Sequence, residues 1–198
     1  VAIGLEHAHR NGILHRDVKP ANILITDSGL PMLLDFNLSS DSASQSMRRS
    51  IVGGTVPYLS PEQLQSLKSG AAISKTADIY SLGVILFELL AERLPFELNS
   101  SHSLSSLIRD AQARISLDVP HIRTFNRSVS FAVQEIVLKC LQPLPKDRYQ
   151  SAADLADDLR CELNNLPLKH ACNTSVPERI SKWRRRHPRV LSVTTLLI

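Results

Sequence analysis

Between His15 and Asn22 the chain reads His-Arg-Asp-Val-Lys-Pro-Ala-Asn, which sets an acid, a base and an amide carbonyl within one short turn. The Asp17 carboxylate can accept a proton from a hydroxyl, and the Lys19 ammonium can neutralise phosphate charge. The Asn22 side-chain oxygen can ligate a hard cation. Thirteen residues beyond Asn22 comes Asp35-Phe36-Asn37, a second carboxylate at the end of an apolar run. Ile23-Leu24-Ile25 and Met32-Leu33-Leu34 are β-like runs, joined through Asp27-Ser28-Gly29-Leu30-Pro31, a turn by composition. The spacing predicts a small hairpin that brings Asn22 and Asp35 together at one end. Two oxygen ligands beside a base suit a site for a metal-bound nucleotide.

The elements that must hold this site in place are mostly helical. Val1–Arg10 has a helical pattern, and Asn11-Gly12 stops it, since both residues tolerate a left-handed backbone. Thr76–Leu90 is apolar nearly all round, which marks a helix buried on every side or one that crosses a membrane. It is too short for a span of about 20 apolar residues, so the expectation is a central buried helix. Asp78 near its start is costly to bury alone and is expected to find backbone donors. Three amphipathic helices follow, over roughly 103–113, 130–141 and 151–163, with Ser151 and Asp154 as a capping pair on the last. From Asn164 the chain turns polar, with Pro167 and Pro177, and 164–189 reads as a linker.

A chain of 198 residues can bury one sizeable core, and 43% hydrophobic with 21% charged residues is ordinary for a globular protein. The formal charge of +4 is local. Six basic residues lie between Arg179 and Arg189 with no acid among them, and removing those six leaves the remainder at −2. A mildly acidic body argues against nucleic acid as a partner. Cys140, Cys161 and Cys172 are odd in number and lack metal-ligand spacing, which points to a reducing compartment. The chain opens directly on a helical pattern and ends within the apolar stretch 190–198, so it reads as a piece of a longer protein. Four arginines (Arg184, Arg185, Arg186 and Arg189) stand before that stretch, as positive charge stands on the cytoplasmic side of a transmembrane helix beginning near Val190.

The His15–Asn22 run with Asp35-Phe36-Asn37 resembles the catalytic loop and metal-binding motif of eukaryotic-type serine/threonine protein kinases. Gly53-Gly54-Thr55-Val56-Pro57-Tyr58-Leu59-Ser60-Pro61-Glu62 resembles the segment that receives the peptide substrate and closes on an Ala-Pro-Glu-like triplet. Asp78, Gly83 and Arg148 follow in the family's order. The resemblance implies a mainly α fold over residues 1–163, the C-terminal lobe of a kinase with its small β-hairpin at the catalytic loop. It implies ATP and Mg2+ as cofactors and protein serine or threonine hydroxyls as acceptors. Asp17 would orient and deprotonate the hydroxyl, Lys19 would neutralise the transferring phosphoryl group, and Asn22 and Asp35 would hold the metal on the nucleotide. Thr55 would bond both Asp17 and Lys19, and Lys19 with Thr55 marks serine/threonine specificity. Asp78 would hold the catalytic loop from beneath, Gly83 would allow close packing, and Arg148 would pair with Glu62 across 86 positions. His15 is expected to be structural, packed on Phe36, and the other histidines to be surface or helix residues.

The serine-rich stretch 38–52 reads either as a mobile polar loop or as an activation segment ordered by phosphorylation, with Arg16 facing the added phosphate. Two departures stand out. Asn37 replaces the glycine that usually ends the metal motif, and asparagine is the next best residue at positive φ. The glycine-rich phosphate loop, its strand lysine and the partner glutamate belong to an N-terminal lobe not in this sequence, so the piece alone is expected to be inactive. The run His15–Leu24 with Met32–Asn37 is similar to receptor-like kinases of bacteria. The alternative from another class is a pseudokinase, a scaffold with this fold and no transfer. Small-molecule phosphotransferases share the aspartate–asparagine loop but lack the Thr55 and Ser60-Pro61-Glu62 elements.

Overall fold

The computed structural model describes residues 1–36, 55–96, 106, 109, 113, 114 and 116–188. Asn37, the serine-rich stretch, Gly53, Gly54 and the apolar stretch 190–198 lie outside the described residues. Seven helices and one hairpin are described: α1 (Ala2–Arg10), β1 (Ile23–Ile25), β2 (Pro31–Leu33), α2 (Pro61–Ser69), α3 (Thr76–Ala91), α4 (Ile122–Phe125), α5 (Phe131–Cys140), α6 (Ala152–Leu163) and α7 (Val176–Arg186).

The centre is α3, for the reason its sequence suggests. Ile79, Leu82 and Ile85 join one apolar cluster with Leu5 of α1, Ile136 of α5 and Leu155 of α6. On the other side Tyr80, Val84 and Phe87 join a second cluster with Ile122 of α4 and Val137 of α5. A helix packed on two sides cannot afford a polar stripe, and each fully buried side chain of this size contributes about 1.5–3 kcal/mol. The apolar run outlasts the core, however. Leu89 in the last turn is 72% exposed, and the helix closes on Glu92 in a left-handed conformation. Gly83 fits a tight crossing with α5: a Cβ there would lie 2.5 Å from the Cys140 Cβ.

Arg148 ties distant parts of the chain together. Its guanidinium is 2% exposed and uses all five N–H donors. Two go to the Glu62 carboxylate at 2.6 and 2.8 Å, and the others to the carbonyls of Gln142, Thr76 and Pro143 at 2.7, 3.1 and 2.9 Å. The start of α2 is thereby fixed to the start of α3. Burial without neutralisation is possible because the partner charge and every donor are satisfied.

Helix ends follow their capping residues. Ser130 and Ser151 accept from the N–H groups of Val133 and Asp154 at the starts of α5 and α6. The hairpin pairs Ile23 with Leu33, Leu24 with Met32 and Ile25 with Pro31, so β2 starts and ends one residue earlier than its apolar run. Leu34 N–H still donates to Asn22 O at 2.9 Å and extends the ladder past the strand. At the end of α1 only Gly12 takes the left-handed backbone, with φ 73°, while Asn11 keeps φ −91°. The expected helix 103–113 falls largely outside the described residues; Ser106, Arg109 and Ala113 within it are helical. The stretch 164–189, expected as a polar linker, instead carries α7. Its Glu178 accepts from the Phe131 and Ala132 N–H groups at 2.6 and 3.1 Å, and its Lys182 pairs with Glu162 of α6.

Candidate active site

Asp78 sits in the first turn of α3 and is 1% exposed. Its Oδ1 accepts from Arg16 N–H at 2.7 Å, and its Oδ2 accepts from His15 N–H at 2.9 Å. These are the backbone donors its burial requires. They also hold Arg16 at φ 64°, a left-handed conformation that costs an L-residue of order 1–3 kcal/mol. Gln63 Nε2 clamps the Arg16 carbonyl from the other side at 3.0 Å. The tight turn is thus imposed by two helices, α2 and α3, and it swings Asp17 toward Lys19.

His15, wholly buried, joins the turn to the hairpin. Its Nε2 lies 2.8 Å from Leu34 O, and its Nδ1 lies 3.4 Å from the Asp17 N–H. A carbonyl can only accept, so Nε2 carries the hydrogen of the bond to Leu34. The ring packs on Phe36 with centroids 4.6 Å apart, the structural placement expected for it.

The chemistry-bearing side chains gather around Asp17. Lys19 Nζ lies 3.0 Å from Asp17 Oδ2 and donates to Thr55 Oγ1 at 2.8 Å. Thr55 was expected to bond the aspartate as well, but among the described hydrogen bonds it meets Asp17 through Lys19. Asn22 spends its amide N–H donors on Asp17, 2.8 Å to the backbone carbonyl and 3.1 Å to Oδ2. Its Oδ1 is left as an acceptor. Asp17 Oδ1 is buried and has no hydrogen-bond partner among the described residues. A carboxylate oxygen left without a partner is free to accept a hydrogen bond. Asp35 follows β2 with φ 56° and is exposed. The hairpin register sets Asn22 and Asp35 at the same end of the ladder, and an amide oxygen and a carboxylate are the hard oxygen donors that would hold Mg2+.

Three further residues shape the site. His9, expected as a surface or helix residue, has a side chain only 2% exposed, with Nε2 2.8 Å from Asp78 Oδ2. Gln63 is both the clamp on Arg16 and the second half of a capping box with Ser60. Its signal was present as Ser60-Pro61-Glu62-Gln63, a capping-box spacing with proline in the first turn. Arg114, 3% exposed, donates to Leu59 O at 2.8 Å and so fixes the segment after Thr55. Beside it the Tyr58 hydroxyl donates to Glu88 at 2.8 Å, and burial with that carboxylate pushes the phenol up from its ordinary value.

Residues 1–158 match the family model described as the protein kinase domain. The chain belongs to the protein kinase family. Among its curated relatives, the serine/threonine-protein kinase PrkC of Bacillus subtilis is 37% identical over 161 residues, 81% of this chain and 23% of that protein. The serine/threonine-protein kinase PknB of Mycobacterium tuberculosis is 35% identical over 158 residues, 78% of this chain and 24% of PknB. A probable serine/threonine-protein kinase of Clostridium perfringens is 30% identical over 194 residues, 97% of this chain and 26% of the relative. The chain thus spans about a quarter of the length of these relatives. The matched kinase domain ends inside α6, and α7 lies beyond it.

Proposed function

We propose that the protein is a serine/threonine protein kinase that transfers the γ-phosphoryl group of ATP to protein hydroxyls, and that residues 1–163 are the C-terminal lobe of its catalytic domain. The observation that carries this is the Asp17 carboxylate: one oxygen held by Lys19 and Asn22, the other buried without a partner. Asp17 Oδ1 accepts the hydrogen of the acceptor serine or threonine and aims its oxygen at the phosphorus. Lys19, fixed between Asp17 and Thr55, places its charge where negative charge develops on the transferring group. Asn22 Oδ1 and the Asp35 carboxylate would hold Mg2+, which would supply positive charge against the nucleotide phosphates. A scaffold without transfer has no need for Asp17, Lys19 and Asn22 to converge as they do.

The test is Asp17→Asn in the full-length protein, with phosphate transfer from ATP to a generic serine/threonine substrate as the readout. Transfer is expected to vanish while the circular-dichroism spectrum is kept. Comparable turnover by wild type and variant overturns the reading.

We also propose that 190–198 begins a transmembrane helix that tethers the kinase at the cytoplasmic face of a membrane. The support is the run of arginines before Val190, with Trp183 suited to the headgroup level. Among the described residues no helix is long and apolar enough to cross a membrane. A full-length protein found wholly in the soluble fraction sinks this proposal.

A further inference from the structure

α7 is docked the wrong way round for a helix of a globular fold. Such a helix ordinarily turns its apolar stripe to the core and its charges to water. Here Glu178 and Lys182 face inward: Lys182 is 8% exposed and pairs with Glu162 and Glu178, while Glu178 caps α5. Val176, Ile180 and Trp183, spaced four and three apart on one face, are 57%, 53% and 42% exposed. They line a groove of about 830 Å³ whose opposite wall is the stretch 166–174.

The groove's charge says what covers it. Among the described residues no carboxylate lines it, while Arg179 and Arg186 do. The Arg186 Nε is buried without a hydrogen-bond partner among the described residues. At about 100° per residue, Arg179 and Arg186 fall on one flank of the Val176–Ile180–Trp183 stripe and Arg184 on the other. An apolar stripe with a tryptophan and cations on both flanks meets a plane that is oily at depth and anionic at its surface. A single acidic peptide laid in the groove would reach one flank only.

We propose that the outward face of α7 with its groove is a docking surface for an anionic lipid bilayer, the stripe entering the acyl boundary and the arginines engaging lipid phosphates. This surface lies beyond the matched kinase domain, and the proposal depends neither on the catalytic reading nor on a transmembrane helix after Val190.

Trp183 is the single tryptophan of the chain and reports on this face directly. The 198-residue chain is mixed with vesicles of phosphatidylcholine alone or with phosphatidylglycerol. Trp183 emission, its quenching by brominated acyl chains, and co-sedimentation are read together. The expected result is a blue shift and quenching with the anionic vesicles only, both reduced by 0.5 M salt. Arg186→Gln weakens binding about fivefold, the effect of one cation near an anionic surface. The double variant Val176→Asp, Ile180→Asp weakens it roughly tenfold or more, since two apolar contacts are lost from exposed positions that leave the fold alone. Circular dichroism and melting verify that last point. Four results overturn the proposal: no blue shift with anionic vesicles; equal binding to neutral ones; a double variant that still sediments with a shifted Trp183, which makes the 190–198 stretch the anchor; or the same shift with polyglutamate, which makes the partner an acidic peptide.

Discussion

Replacing Arg148 by methionine keeps the volume of the side chain and removes its charge and donors. Glu62 loses two charge-assisted bonds, and the carbonyls of Gln142, Thr76 and Pro143 lose one each. Removing one partner of a buried ion pair costs about 3–5 kcal/mol. Glu62 retains 22% side-chain exposure, so water can reach it and relieve part of that cost. The three carbonyls add to the loss, by about 1 kcal/mol or more for any that stays dry. The two corrections oppose each other, and about 4 kcal/mol is expected. Against a total of about 5–15 kcal/mol for a domain, this is a large share. For a chain of this length it corresponds to a fall of about 8–16 °C in Tm. Urea and thermal melts followed by circular dichroism measure it. Arg148→Lys is expected to recover little, since one ammonium cannot reach five acceptors in a planar fork. A loss under about 1 kcal/mol for Arg148→Met refutes the reasoning, as does a double-mutant cycle with Glu62→Gln that shows no coupling.

Gly83→Ala is expected to cost about 1–3 kcal/mol by overpacking the α3–α5 crossing. Cys140→Ala will not relieve it, because the clash is with the Cβ that alanine keeps; a melt of the double variant back at the wild-type midpoint contradicts this. His9→Ala removes one bond from Asp78 and is expected to lower kcat of the full-length enzyme roughly tenfold through a loosened loop, with KM for ATP within about twofold. Unchanged kcat counts against His9 as a positioning residue. Burial pushes the Glu178 carboxyl up, but bonds from Lys182 and from the Ala132 and Phe131 N–H groups outweigh it and hold it below its ordinary 4.5. Its stabilisation of α7 is therefore complete above about 4.5 and is lost as pH falls through the lowered value. Trp183 emission is expected to show that acid limb in the wild type and a flatter one in Glu178→Gln; identical limbs disprove the assignment.

The sequence was most readable where a residue type has few uses. The Asp27-Ser28-Gly29-Leu30-Pro31 turn between apolar runs announced the hairpin, and an aspartate in an apolar helix announced a need for backbone donors, which His15 and Arg16 supply. The Arg148–Glu62 pair was legible only through a resemblance, since no periodicity links positions 86 apart. His9 was not legible at all, because a histidine on α1 looks the same whether it meets water or Asp78. The helix α7 was hidden for a physical reason. Glu178 and Lys182 lie on its inner face, so no apolar stripe turned to the core marks it, and the polar composition with prolines at 167 and 177 suggested a linker. Pro177 is in fact in the first turn of α7, behind a Ser175 cap, where its missing N–H costs nothing.

The contact between α1 and α6 also sets a schedule for folding on the ribosome. Glu6 near the N-terminus accepts from the Ala153 N–H at the start of α6, 147 positions later. Leu5 has no finished pocket until Leu155 and Ala156 arrive to close it. At about 5–20 residues per second, α1 waits roughly 7–30 s for its partner. During that wait the inner face of α1, with Ala2, Leu5 and Ala8, is open to chaperones and to neighbouring nascent chains. Synthesis from a slow message would lengthen that exposure, and a pause placed just before the codon for Ala152 would lengthen it most.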